Sequence, residues 1–472
     1  MSSHDVVIIG SGPNGLAAAI ALANAGLSVS VVEGSSEIGG GTRTAELTLP
    51  GFLHDVCSGA HPMGILSPYL KTLPLKEHGL EWILPEASVA HPLDHAPAVL
   101  LRRSVQETAS ALGRDAGRYT DLVSPFLKNP EGLLADALAP LRFPSHPFQL
   151  MKFGLAGMRS ASAFANRFKD DPARALFAGC AAHSILPFSR MLSAAVGLMF
   201  LLAGHMEDWP VAKGGSTSIS RALASYFASL GGTIETNRMI SSMRDLPVAR
   251  AYVFDTDPVQ MAAIAAEILP ARFVRRLRSY RFGPGVFKMD WALDGPIPWR
   301  DPACLKACTV HLGGRIEEIA AAENAVWQGR HPENPFVLVV QASQFDSSRA
   351  PAGKHTGYAY CHVPSGSDLD LTEIVEKQIE RFAPGFRDIV LARNVMRTKD
   401  FQAHNPNYFG GAITGGVADM FQLFNRPVTR LDPYSTPNSR IFICSASSPP
   451  GAGVHGMCGY HAAQSVIRRI KP

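Results

Sequence analysis

Residues 5–33, DVVIIGSGPNGLAAAIALANAGLSVSVVE, decide the fold. The β-branched run Val6-Val7-Ile8-Ile9 is strand-like. It enters the turn Gly10-Ser11-Gly12-Pro13-Asn14-Gly15, which opens the apolar helical run Leu16 to Ala25, and a second strand, Val29 to Val32, ends on Glu33. In a strand–turn–helix–strand unit of this kind Gly10 permits the tight turn, Gly12 lets backbone approach a pyrophosphate, and Gly15 lets helix and strand pack closely. The helix N-terminus contributes free N–H groups and the positive end of its dipole. Glu33, eighteen residues after Gly15, stands where a carboxylate accepts hydrogen bonds from an adenosine ribose. The flanking strands, the helix and the terminal acid together predict a dinucleotide site, which a lone GxGxxG would not.

A second glycine cluster, Gly39-Gly40-Gly41-Thr42-Arg43, follows the second strand. It can lie against the same pyrophosphate, with Arg43 adding positive charge, an extension found in flavoproteins and generally missing from simple NAD dehydrogenases. About 400 residues later the strand-like Arg440-Ile441-Phe442-Ile443-Cys444 runs into Ser445-Ala446-Ser447-Ser448-Pro449-Pro450-Gly451-Ala452-Gly453-Val454-His455-Gly456 and then a small-residue helical run, Met457 to Ile470. A strand, a glycine loop and a second helix N-terminus direct backbone N–H donors at a flavin ring. The candidate cofactor-binding residues are Gly10, Gly12, Pro13, Asn14, Gly15, Glu33, Gly34, Gly40, Gly41, Thr42 and Arg43 at one end, Ile240 in the middle, and Ser445, Ala446, Val454, His455 and Met457 at the other.

These two motifs, with Pro50-Gly51-Phe52 and Asp55 after the first and Pro450 to Tyr460 in the second, resemble the phytoene desaturase-like FAD oxidoreductases. The resemblance is to the branch related to the pyridine nucleotide-disulfide oxidoreductase domain-containing proteins. It implies FAD, an apolar substrate, and desaturation, saturation or isomerisation of C–C bonds. The chain departs from the pattern at Ser445-Ala446, where relatives carry glycine and a small residue.

The expected fold is α/β: a discontinuous Rossmann-like FAD-binding domain of the glutathione-reductase/amine-oxidase type, formed by residues 1–60, 208–262 and 425–472. Residues 61–207 and 263–424 form an inserted α+β substrate domain. Alternation is lost after Gly51 and returns near Trp209, where Gly214-Gly215-Ser216-Thr217 precedes an amphipathic helix, Ile219 to Leu230, then Gly231-Gly232 and the short strand Thr233 to Thr236. A further strand of the same sheet is read at Ala251 to Asp257. Within the insertion, strands are expected at Val286 to Leu293 and Phe336 to Gln341, and a helix at Leu371 to Phe382.

Composition limits the alternatives. A chain of 472 residues suggests two or three domains, and 46% hydrophobic residues suffice for a buried core. A formal charge of +4 with no long single-sign block argues against nucleic acid. The five arginines from Arg272 to Arg281 read as a solvated helix face, with a peripheral membrane contact as the alternative. Seven cysteines without paired CxxC spacing, Cys304 and Cys308 included, predict neither zinc nor disulfides. The first strand begins within a few residues of Met1, so a cytoplasmic location is the default. The apolar run Leu192 to Gly204 is shorter than the roughly 20 residues of a membrane span and reads as a core helix or a pocket wall.

No serine–histidine–acid order, paired carboxylates or metal cluster is readable. His455, in the loop beside the expected flavin, is the candidate acid or base, against the alternative that it hydrogen-bonds its own loop. His61, His183 and His205 read as packing residues, and nothing in the spacing singles out Cys458 for flavin attachment. With one dinucleotide fingerprint, a dehydrogenase would pass electrons to oxygen or a quinone, and an isomerase would return them to the substrate. A flavin amine oxidase and a non-catalytic, flavin-stabilised interaction protein remain as other classes.

Overall fold

The computed structural model describes residues 4–470; residues 1–3 and 471–472 of the expected FAD-binding segments lie outside them. A five-stranded parallel sheet runs in the order Ile441–Ile443, Ala249–Phe254, His4–Ile9, Val29–Val32, Thr233–Glu235. Val6 pairs with Ala251 on one side and Val29 on the other, and Tyr252 pairs with Ile441. The sheet is thus assembled from segments that lie at opposite ends of the chain.

Pleating assigns each strand residue to a face. Val6 and Ile8 point into one core with Leu16, Ile20 and the C-terminal helix. Val7 and Ile9 point into another with Met261, Phe273 and Leu277. The first face carries helix Pro13–Asn24, which packs against Met457–Ile470 and Thr217–Ser229. Leu16, Ile20 and Leu22 are fully buried there, each worth about 1.5–3 kcal/mol. The second face carries helices Pro258–Ile264 and Ala271–Arg278. The expected boundary at residue 262 therefore falls inside a layer that continues to Leu277, because Phe273, Val274 and Leu277 turn their apolar sides onto this sheet. The arginines between them face solvent, the amphipathic pattern of a surface helix.

The inserted segments build a seven-stranded sheet in the order Val390–Met396, Gly285–Leu293, His355–Val363, Val337–Val340, Ala307–Leu312, Ala87–His91, Val99–Leu101. It is antiparallel except where Ala307–Leu312 runs parallel to Ala87–His91. Helices between Val105 and Met206 pack beside it, the apolar run forming helix Ser193–Met206 with Leu198, Leu201 and Leu202 buried. Among the described residues no helix is long and apolar enough to cross a membrane, all seven cysteines are free and buried, and no His, Cys, Asp or Glu group could hold a metal ion.

The two ends of the chain meet at backbone level. A Cβ at Gly459 would overlap the carbonyl oxygen of Asn14 and crowd the amide of Ala18, so only glycine lets the C-terminal helix rest on the first one. Gly459→Val should lower the melting temperature by the equivalent of at least about 3 kcal/mol, beyond the usual overpacking cost of about 1–3 kcal/mol, because the obstacle is backbone. Gly117→Ala, on an exposed helical position with nothing within 4 Å, should stabilise by about 0.4–1 kcal/mol. Thermal denaturation of the two variants measures both effects.

Candidate functional site

A cleft of about 560 Å³ runs from the first sheet's carboxyl ends into the inserted domain. Of the residues singled out in the sequence, Gly10, Gly12, Asn14, Glu33, Gly34, Gly40, Gly41, Arg43, Ile240, Ser445, Ala446 and Val454 line it. Pro13, Gly15, Thr42, His455 and Met457 do not; they support the residues that do.

Gly10 turns with φ +103°, a left-handed conformation that glycine adopts without strain, and its N–H donates to Val32 O. Helix Pro13–Asn24 then begins with Gly12 as N-cap and no capping side chain of its own. Asp255, just past strand Ala249–Phe254, supplies the missing acceptor: its Oδ2 receives the Gly15 N–H at 3.0 Å. A Cβ on Gly12 would stand 2.6 Å from that same oxygen, and one on Gly15 would overlap Gly10 O. Burial, with Glu33 nearby, holds the Asp255 carboxyl well above the usual range despite the helix N–H groups.

Glu33 is pinned before any ribose reaches it. Its Oε2 accepts from Ser11 N at 2.9 Å and Ser11 Oγ at 2.6 Å, and its Oε1 from Ser35 N at 2.9 Å. Arg43 reaches Oε1 at 3.4 Å and also donates to Glu37 O and Ile38 O. The buried guanidinium therefore braces the second glycine loop and meets the cleft only with what is left of its surface. Thr42 is buried and its Oγ1 donates to Gly39 O at 2.8 Å, so it closes the loop instead of facing a phosphate. Gly40 packs against Gly12, where a Cβ would lie 3.2 Å from the Gly12 Cα.

His455 does not face the cleft. It is buried, its Nδ1 accepts the Met457 N–H at 3.0 Å, and burial pulls its pKa down to about 4. It caps helix Met457–Ile470, and Met457 is buried beneath it. The expected acid or base is a capping residue. Cys458 hydrogen-bonds Ser448 O and Gly451 O, and burial raises its thiol to about 11, an inert environment.

Two groups escaped the sequence. Asp255 was legible only as the end of a strand; its capping role depends on a contact 240 residues away. The segment 403–408, assigned by position to the inserted domain, lines the dinucleotide end. Asn407 ties it there, accepting from Asp257 N at 2.7 Å and donating to Asp255 O at 3.3 Å, and Tyr408 OH would meet a Cβ on Gly41 at 2.5 Å. The turn-forming run Asn405-Pro406-Asn407 was the available signal.

The far end of the cleft is lined by Phe200, Trp209, Leu338, Val340, Tyr358 and Tyr360, with Cys57 to Ala60 and His183 completing the wall. Tyr358 OH donates to Cys57 O, and the Tyr358 and Tyr360 rings lie 6.2 Å apart at 89°.

The cradle fits a flavin dinucleotide. Glycine faces leave room that a Cβ would fill, Asn14 lines the cleft with its Oδ1 unpartnered, and the channel continues past Ser445–Ser447 to Ala452–Val454, beyond the reach of the first glycine turn.

The raised Asp255 pKa has a consequence for stability. The folded state holds the proton more tightly than the unfolded chain, so the protonated form favours folding and stability falls as pH rises through the raised value. Asp255→Asn keeps a carbonyl acceptor and no charge; it should flatten that fall while retaining the fold. His455→Asn, also a cap acceptor, should be tolerated, whereas His455→Ala should cost about 0.5–2 kcal/mol. Melting curves across pH test both.

A family model described as an NAD(P)-binding Rossmann-like domain matches residues 8–71. Over 99% of its length the chain is 26% identical to pyridine nucleotide-disulfide oxidoreductase domain-containing protein 2 of Mus musculus, covering 94% of that protein. A stretch of 25% of the chain is 32% identical to 22% of a limonene dehydrogenase component from Castellaniella defragrans. A double mutant of putrescine oxidase superposes with a TM-score of 0.64 at 17% identity, 98% of this chain on 99% of that one. The dinucleotide cradle matches the Rossmann-like family model, and over its full length the chain is similar to the pyridine nucleotide-disulfide oxidoreductase domain-containing proteins and shares its fold with putrescine oxidase.

Proposed function

We propose that the chain is an FAD-dependent oxidoreductase acting on C–C bonds of an uncharged, predominantly apolar molecule, by desaturation or by redox-neutral isomerisation or saturation. One observation supports this above the others. The acidic and basic side chains other than histidine that line the cleft, Glu33, Arg43, Arg238, Asp255 and Asp257, all belong to the dinucleotide end, and the far end is walled by aromatic, aliphatic and small residues with the neutral His183 and Thr309 among them.

Bound FAD supplies hydride acceptance and donation. The chain's residues position it and its partner. Gly10, Gly12 and Asn14 hold the pyrophosphate with the help of the helix N-terminus, and Glu33 presents carboxylate oxygens to the ribose. Ser445–Ser447 and Ala452–Val454 flank the flavin ring. Phe200, Trp209, Leu338 and Val340 exclude water from the reacting carbons, and burying apolar substrate against them yields about 25 cal/mol per Å². Tyr358 is locked by its bond to Cys57 O, so the wall is preformed. Oxygen or a quinone takes the electrons if the reaction is a net oxidation.

A flavin amine oxidase is the second reading, favoured by the putrescine oxidase likeness and by the near-perpendicular Tyr358 and Tyr360 rings. An ammonium ion, however, would have no carboxylate at the far end to offset its desolvation.

The purified holoprotein should carry non-covalent FAD and be bleached anaerobically by C10 alkenes or alkenols but not by putrescine or cyclohexylamine. Gly12→Val should abolish flavin retention. Bleaching by the amines alone would move the assignment to amine oxidation. Indifference to every polyene, alkenol and amine would favour a structural flavin.

A further inference from the structure

The apolar end of the cleft has a paired-histidine feature that the proposed reaction does not use. His183 lines the cleft, set there by helix Asp171–Ala182, which it caps. Its Nε2 faces the Nε2 of His311 at 3.0 Å. His311 is fully buried on strand Ala307–Leu312, beneath Trp209 and Phe336. Burial pulls His183 down to about 3 and His311 well below its ordinary value, so both rings are neutral.

Two neutral imidazoles that meet nitrogen to nitrogen share one proton. When it sits on His183 Nε2, the Nδ1 of His183 carries a lone pair. When the bridging proton is that of His311, His183 carries its own proton on Nδ1 instead. That Nδ1 has no partner among the described residues and is the ring nitrogen left for the cleft. His311 Nδ1 is likewise unpartnered, and it shares the space beside Gly179 with the Nδ1 of His91: a Cβ at Gly179 would meet them at 2.6 and 2.9 Å. His91 Nε2 is held by Gly314 O at 2.8 Å, which fixes the His91 proton on Nε2 and leaves its Nδ1 as an acceptor. Tyr358 on this wall is already bonded to Cys57 O, while Thr309, on the same strand as His311, brings a second unpartnered polar atom, its Oγ1, to the lining.

We propose that His183 is the substrate-recognition residue of this cleft: its Nδ1 hydrogen-bonds a single uncharged hydroxyl or carbonyl group on an otherwise apolar substrate, and His311 is the positioning residue that sets its tautomer. The shared proton lets the pair donate to a carbonyl or accept from a hydroxyl with no change in charge. The substrate class this selects is a hydrocarbon skeleton bearing one alcohol or ketone. The inference rests on the apolar, uncharged chamber proposed above.

The test titrates the holoprotein with decan-1-ol, decan-2-one, decane and decylammonium, following fluorescence of the cleft residue Trp209 with Trp209→Phe as the control for signal. In His183→Phe the affinities for the alcohol and the ketone, each relative to decane, should fall about fivefold to tenfold, the size of one neutral hydrogen bond. His311→Leu should reproduce part of this loss and His311→Gln, which can still bond His183, should restore it; imidazole 15N shifts should report a changed His183 tautomer in the leucine variant alone. An equal effect of His183→Phe on alcohol, ketone and alkane would overturn the recognition role and leave the apolar chamber standing. Failure of all three neutral probes to bind, or tighter binding of decylammonium, would overturn the chamber itself.

A second surface carries an independent proposal. Helix Pro147–Gly157 and its flanks expose Phe148 (78%), Leu155 (64%), Met151 and Met158 in one stripe, with Leu141 (67%) and Phe143 (88%) beside it. Gln149 anchors the opposite side to Phe126 O and Asn129 O, and Gly157 packs against Ala195. Between Asp136 and Asp170 the sequence has no acid, while Arg142, Lys152, Arg159, Arg167 and Lys169 are basic. An apolar stripe ringed by cations complements a bilayer with anionic headgroups. We infer that this face, and not the Arg272 to Arg281 helix, whose apolar side is buried, docks on such a membrane. In flotation assays the holoprotein should rise with phosphatidylcholine vesicles containing about a third phosphatidylglycerol, and less so in high salt. Phe143→Asp/Phe148→Asp should stay behind with its flavin content and melting temperature unchanged. Flotation unaffected by the double substitution, no flotation of the parent, or a dimer that the substitution dissolves would each overturn the inference.

Discussion

Everything in this protein hangs on one close backbone contact, Gly459 against Asn14. Helix Pro13–Asn24 must present its N-terminus to a cofactor and still be held from behind, and the C-terminal helix can do so only where no side chain intervenes. That contact brings Ser445–Val454 alongside Gly10–Asn14 and makes one cleft from two ends of the chain. Asp255 fixes the same turn from the neighbouring strand Ala249–Phe254, through the Gly15 N–H. Between them these contacts leave the glycine turn little freedom to relax, so the phosphate cradle exists before the phosphate arrives.

The cleft is divided by charge. Its dinucleotide end concentrates carboxylates and guanidinium groups that satisfy one another or the backbone, as Glu33 does with Ser11, Ser35 and Arg43. Its far end is largely aromatic and aliphatic, with the neutral His183 among its few polar residues. A flavin spanning the two regions would have its phosphates where charge is compensated and its ring beside apolar walls, the division that would let the cofactor carry the chemistry.

Strands His4–Ile9, Val29–Val32 and Thr233–Glu235 were legible because they are short, rich in β-branched residues and close to glycine turns. The helices Met457–Ile470, Thr217–Ser229 and Thr372–Phe382 and the strands Gly285–Leu293 and Val337–Val340 lie within a few residues of where the pattern put them. Less was legible where function depends on contacts distant in sequence. His455 sits in the right loop, but whether an imidazole points at a cofactor or at the N–H two residues on is decided by local backbone geometry that hydropathy does not encode. The pairing of His183 with His311 joins a helix end to a strand 128 residues later, and each alone resembles an ordinary packed histidine. The layer of helices from Pro258 to Arg278 was divided at residue 262 because charge density masked a buried stripe of Phe273, Val274 and Leu277.

The most direct test of the central claim is a crystal structure of the holoprotein soaked with decan-1-ol. The account predicts FAD extended from Glu33 to Ala452–Val454, with the alkyl chain among Phe200, Trp209 and Leu338. An NAD molecule in the cradle, or an alcohol bound away from that chamber while the chamber fills with ordered water, would contradict it.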